Sequence, residues 1–129
     1  MPAPLITAQS STNVASTVLR AQDALRRRSI TLFAAIDHAG GARSVGAELA
    51  DEVVLIFGNP QVGTGLMQRD PEVGIELPLR LLIWDDGHAT RVAFTDPAVY
   101  AERYAVGGQH ELLQRMREIL DGLVAEIVA

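Results

Sequence analysis

The sequence predicts a layered domain of the α+β or α/β class, and three observations carry that prediction. Segments with helical spacing of apolar residues alternate along the chain with segments rich in β-branched and aromatic residues. The run Val53–Phe57 has no polar residue, as expected of a strand buried on both faces in the middle of a sheet. Leu79–Trp84 and Thr90–Thr95 flank Asp86-Gly87, a two-residue hairpin signal.

The elements follow in order. Leu5–Gln9 reads as a short first strand, and Ser10–Asn13 as a polar cluster suited to capping a helix. From Asn13 to Arg28, Val14, Val18, Ala21 and Leu25 recur at helical spacing. Arg20 and the triplet Arg26–Arg28 come late in that helix, where cations complement its negative end. The triplet reads as a solvated helix end rather than a nucleic-acid patch. Ser29–Asp37 reads as a strand with Ile30, Leu32, Ala34 and Ile36 on one face. Ala42, Val45 and Leu49 predict a short helix over 41–50.

After the Val53–Phe57 strand, Gly58 breaks the pattern and 61–70 reads as a short helix. Asp70-Pro71 and Gly74 interrupt again. Pro78 opens the strand Leu79–Trp84, and in the return strand Val92 and Phe94 face inward while Arg91 and Thr95 face out. Asp96-Pro97 is a capping residue followed by proline at the first helical position. Gly107-Gly108 ends that helix. Gln109–Val128 is a long amphipathic helix with Leu112, Met116, Ile119 or Leu120, Leu123 and Ile127 on one stripe. This stripe either covers the sheet or forms a seam with a second subunit.

Length and composition bound the function. The 129 residues suit one domain large enough for its own core. With 48% apolar and 21% charged residues, disorder is not expected. A net charge of −5 argues against nucleic acid and anionic membrane as partners. There is no cysteine, so thiolate ligands, disulfides and cysteine nucleophiles are excluded. All eleven basic residues are arginine, which removes Schiff-base chemistry. MPAPLITAQSS lacks the features of a signal peptide, and no run approaches the roughly 20 apolar residues of a membrane helix. The expectation is a soluble cytoplasmic protein.

Two stretches are candidates for chemistry. Gly58–Gly65 reads G-N-P-Q-V-G-T-G between a strand and a helix. The G-x-x-x-x-G spacing matches a phosphate-binding loop, but Thr64-Gly65 stand where lysine and serine or threonine are required. A nucleotide triphosphatase is therefore rejected. Amides from Gly63 to Leu66 at a helix start would still hold a carboxylate or another anion, assisted by Asn59 and Thr64. Equally, these glycines make a tight turn, and Asn59 and Thr64 cap backbone groups.

Asp37-His38, ahead of Gly40-Gly41, is the second candidate. If this strand and Val53–Phe57 are parallel neighbours, His38 and Asn59 project from one sheet edge, where open sheets place ligands. His38 would act as acid or base with Asp37 as orienter, or serve as a structural capping residue. His38, His88 and His110 lack paired ligand spacing, so no metal site is expected. No cofactor is identified, and Met67 and Trp84 are either core or pocket-lining residues.

Ile36-Asp-His-Ala39, Leu55-Ile-Phe-Gly-Asn-Pro60, Gly63-Thr64 with Leu66-Met67-Gln68, Leu77-Pro-Leu79 with Trp84, and Asp96-Pro97 occur in that order. Together they resemble the domain-of-unknown-function family 302 (DUF302), the TT1751-like fold, over roughly residues 5–105. The family often has proline where this chain has Gly65. The resemblance implies an α+β two-layer sandwich, with helices on a mixed sheet of about five strands, often as a homodimer. It implies no established activity. Asp37, His38, Asn59, Gly63, Thr64 and Met67 match the family signature. The expected organisation is a single domain, 1–129, with 109–128 as an additional C-terminal helix.

Three functions follow. The first is a non-catalytic domain holding a small anionic ligand at the Asp37-His38 and Gly58–Leu66 loops. The second is an enzyme with His38 as general base and the Gly63–Leu66 amides as oxyanion cradle. The third is a structural or dimerisation module joined through the last helix.

Overall fold

The computed structural model describes residues 5–129; the start of the N-terminal segment read above for a signal peptide, residues 1–4, lies outside them. The elements run β1 (Leu5–Ser10), α1 (Val14–Arg27), β2 (Thr31–Asp37), α2 (His38–Ser44), β3 (Glu52–Gly58), α3 (Pro60–Met67), a 3-10 segment (Pro71–Glu76), β4 (Leu79–Asp85), β5 (Thr90–Thr95), α4 (Val99–Arg103) and α5 (His110–Val128). This is an α+β fold.

The five strands form one sheet in the order β1-β5-β4-β3-β2, and each of the four ladders is antiparallel. The expected mixed sheet is thereby corrected. A parallel return from β2 to β3 requires a helix that crosses the sheet face along the strand length. With seven residues α2 spans only about 10 Å, whereas a seven-residue strand spans roughly 23 Å. The chain therefore re-enters the sheet beside the point where it left and runs back.

Local signals explain the helices. The Asn13 carboxamide oxygen accepts the Ser16 N–H at 2.8 Å and caps α1, and Arg26 and Arg27 occupy its last turn. Ala21 and Ala24 are fully buried, which lets α1 approach its neighbours closely. Arg28 donates to the Gly122 carbonyl at 3.2 Å and Arg27 pairs with Glu126 at 3.1 Å, tying α1 to α5. The expected helix over 41–50 instead starts at His38 and ends at Ser44, because the Asp37 side chain caps it.

The helices α1 and α5 share one face of the sheet. Leu55, Phe57, Leu81, Ile83, Val92 and Phe94 meet Leu25 of α1 and Met116, Leu120, Leu123 and Ile127 of α5 there. Burying each such side chain contributes about 2 kcal/mol. The stripe on α5 is thus consumed within the chain, and α5 presents no apolar seam of its own. No helix among the described residues is long and apolar enough to cross a membrane.

Among the described residues, no helix lies over the other sheet face. Along β3, Leu55 and Phe57 are buried while Val54 and Ile56 are only half-buried, so this strand is covered on one face rather than both. In β2 the register shifts between Leu32 and Ala34, leaving Phe33 as the extra residue of a β-bulge. Leu32 pairs with Phe57 but Ala34 pairs with Ile56, so Leu32, Ala34 and Ile36 do not share a face.

The β4–β5 hairpin also differs in detail. Its loop is four residues, Asp86–Ala89, because the Asp86 carboxylate accepts the His88 and Ala89 amides, each at 2.8 Å. Gly87 adopts φ +92°, which only glycine takes without strain.

Candidate functional site

Antiparallel pairing decides where the candidate residues lie. Thr31 faces Gly58 at one end of the β2–β3 ladder, and Asp37 faces Val53 at the other. Five residue steps separate these ends, roughly 17 Å. His38 and Asn59 therefore sit at opposite ends of the sheet, and the expected joint site does not form.

At the Asp37–Val53 end, Asp37 caps α2: its Oδ1 accepts the Gly40 N–H at 2.9 Å, and Arg43 lies 3.9 Å from Oδ2. His38 is the first residue of α2 and is exposed. The Asp37 carboxylate is thus engaged by its own helix. Among the described residues, no group of three His, Asp or Glu side chains is placed to share a metal ion.

At the Thr31–Gly58 end the candidates do converge. Asn59 caps α3, its side-chain oxygen accepting the Gln61 N–H at 3.0 Å. Since α3 begins at Pro60, the amides of Gly63–Leu66 lie inside the helix; that of Gly63 already donates to the Asn59 carbonyl at 3.4 Å. The anticipated anion cradle is absent for that reason. What forms instead is a cleft of about 280 Å³ lined by Asn59, Gly63, Thr64 and Met67. Its remaining walls include Phe33, Phe57, Leu77 and Pro78, with Met116 and Ile119 of α5. No charged side chain lines it, and its lining is predominantly apolar.

Each wall has a structural origin. The bulge brings Phe33, 55% exposed, into the lining of the cleft, which it shares with Met67, 38% exposed. The Met67 thioether rests against Gly74, where a Cβ would lie 3.2 Å from its sulfur. A side chain at Gly63 would point towards Leu77 and the Met67 methyl. Phe33, Leu77 and Met116 were not legible as site residues. The Phe33 bulge has no local motif, and Met116 has the same helical spacing as its core neighbours.

A domain-family model described as "Domain of unknown function DUF302" matches residues 6–123. The chain belongs to the DUF302 family. The match runs through most of α5, so this helix lies largely within the DUF302 domain. The crystal structure of an uncharacterized conserved DUF302 protein from Bacillus stearothermophilus is similar with a TM-score of 0.75, at 20% identity, over 95% of this chain and 94% of that one. That likeness shows the fold. Among curated proteins, "Fluoride-specific ion channel FluC 1" of Brucella suis biovar 1 (strain 1330) is 38% identical over 104 residues, 80% of this chain and 41% of that protein. The protein of the same name from Brucella abortus biovar 1 (strain 9-941) is also 38% identical, over 38% of its length. This DUF302 chain therefore spans about two fifths of the curated relatives it matches.

Proposed function

We propose that this DUF302 domain binds a small, mainly apolar molecule, without catalysis, in the cleft beside α3. The observation that carries this reading is the cleft itself: apolar walls of aromatic, leucine and methionine side chains, with Asn59 and Thr64 as polar points at its edge. Binding pockets commonly combine apolar walls with a few oriented polar groups. Anionic ligands fit less well, because no cation lines the cleft and the local amides are engaged in α3. The enzyme reading loses its constellation, since His38 sits about 17 Å from the cleft end of the ladder. The names of the Brucella relatives support a further step, that the domain is a solute-binding companion of a transport protein.

Indole and n-hexanol, titrated against the methionine methyl resonances, test the reading. Saturable shifts of Met67 and Met116 are expected, and Gly63→Leu, which fills the cleft, is expected to abolish them. Unmoved methyls with both probes, or unchanged binding in the Gly63→Leu variant, would overturn the proposal.

A separate observation favours an interaction role as well. Ile36, Val54 and Leu82 stand in register across three strands on the helix-free face, with Ile56 and Trp84 on either side. We infer that two copies pack through this face, burying the row against itself.

A further inference from the structure

The sheet is not continuous at one corner. The β4–β5 ladder runs from Asp85–Thr90 to Leu82–Ala93 and stops there. Beyond that point Arg80 stays with Ile56 of β3, while Thr95 stays with Leu5 of β1. The two strands part, leaving a cleft of about 240 Å³ between them, distinct from the one beside α3. Leu120 of α5 lies at this cleft, Val54 and Leu82 border it, and Glu76 and Tyr100 line it together with Arg80 and Thr95, so the cleft adjoins the surface proposed above for the packing of two copies.

Tyr100 is the unusual member. It is 4% exposed, yet its hydroxyl has no hydrogen-bond partner among the described residues. No side-chain polar atom there is both sealed from solvent and unpartnered, so the hydroxyl opens onto the cleft. Burial, reinforced by the Glu76 carboxylate, pushes the Tyr100 phenol above its usual range, so it remains an O–H donor at neutral pH. Open to the cleft and without a protein acceptor, the hydroxyl is free to donate to a bound anion.

The charges in the cleft are unequally satisfied. Glu76 accepts the Tyr104 hydroxyl at 2.6 Å and lies 3.5 Å from the Arg103 guanidinium. Arg80 makes no ion pair among the described residues. With Glu76 engaged by Arg103, Arg80 is the unpaired charged residue of the cleft, which it lines together with two hydroxyl-bearing residues, Tyr100 and Thr95. We propose that this cleft is a site for a small anion, a carboxylate or an inorganic oxyanion, seated between the Arg80 guanidinium and the Tyr100 hydroxyl. A guanidinium suits both because its planar donors match two oxygens of one group.

Amide and arginine side-chain NMR of the full chain, titrated separately with sodium acetate and sodium nitrate at constant ionic strength, tests the site. Saturable shifts at Arg80, Thr95 and Tyr100 are expected with at least one anion; acetate alone identifies a carboxylate site, nitrate alone an inorganic one. Arg80→Gln and Tyr100→Phe should each weaken binding by about tenfold, since each removes a hydrogen bond to a charged group. Glu76→Gln, which removes the opposing charge, should tighten it several-fold, a change that a purely structural role would not produce. If Tyr100→Phe does not fold, Thr95→Val tests the hydroxyl side instead. Shifts that stay linear with both anions, or an affinity unchanged by Arg80→Gln or by loss of the hydroxyl, would overturn the proposal.

Discussion

Gly63 and Gly65 stand two positions apart on α3 and have different surroundings. A Cβ at Gly63 would sit 3.4 Å from Leu77 Cδ1, an ordinary contact. At Gly65 it would come within 2.6 Å of Leu112 Cδ1, so Leu112 would have to leave its rotamer at a cost of about 0.5–1.5 kcal/mol. Alanine in place of glycine inside a helix stabilises by roughly 0.5–1 kcal/mol. Gly63→Ala is therefore expected to raise stability by about that amount in urea unfolding. Gly65→Ala should leave it nearly unchanged, as the two effects cancel. Equal gains at both positions would show that Leu112 yields freely. At this scale the sequence marked Asn59, Gly63, Thr64 and Met67 as one cluster, and they do line one cleft. It gave no sign of Phe33, whose position depends on a bulge set by pairing with β3.

Among the elements, the β4–β5 hairpin has the most distinctive electrostatics. Arg91 Nε donates to Asp86 at 2.7 Å, and with the Ala89 and His88 amides it holds that carboxyl well below the ordinary value of 3.8. A carboxylate whose folded value is depressed stabilises the fold above its unfolded value, and that contribution is lost as pH falls towards the folded one. The wild-type chain should thus lose stability on acidification below about pH 4 more steeply than Asp86→Asn. Thermal melts of both proteins from neutral pH downwards measure this; parallel curves would show that the loop bonds carry no net coupling. Asp37 also accepts a backbone amide, at the start of α2. The sequence reads it as the orienter of His38, whereas the structure uses its oxygen on the Gly40 amide.

For the whole molecule, the distribution of apolar surface governs assembly. The two long helices lie on one side of the sheet, and the stripe of α5 is buried there. The remaining broad apolar surface is the opposite face, where Ile36 is 43% exposed beside Val54 and Leu82. If two copies pack there, light scattering after size exclusion will give twice the chain mass. Val54→Glu, at the centre of that row, will give the monomer with the fold intact by circular dichroism. A wild-type monomer at high concentration would end the dimer reading.

By itself the sequence determined the five strands, the main helices and a capping cluster ahead of α1, and its ordered motifs pointed to the DUF302 family. These features depend on local periodicity and on side chains within a few residues of the backbone they satisfy. Only the tertiary structure decided the direction of β3 relative to β2, the bulge at Phe33 and the gap between β4 and β5. Alternation of apolar and polar residues is the same in parallel and antiparallel strands, so strand direction is set by how a short connection such as α2 returns the chain to the sheet. That return separates His38 from Asn59 and places the cleft on one end of the ladder alone.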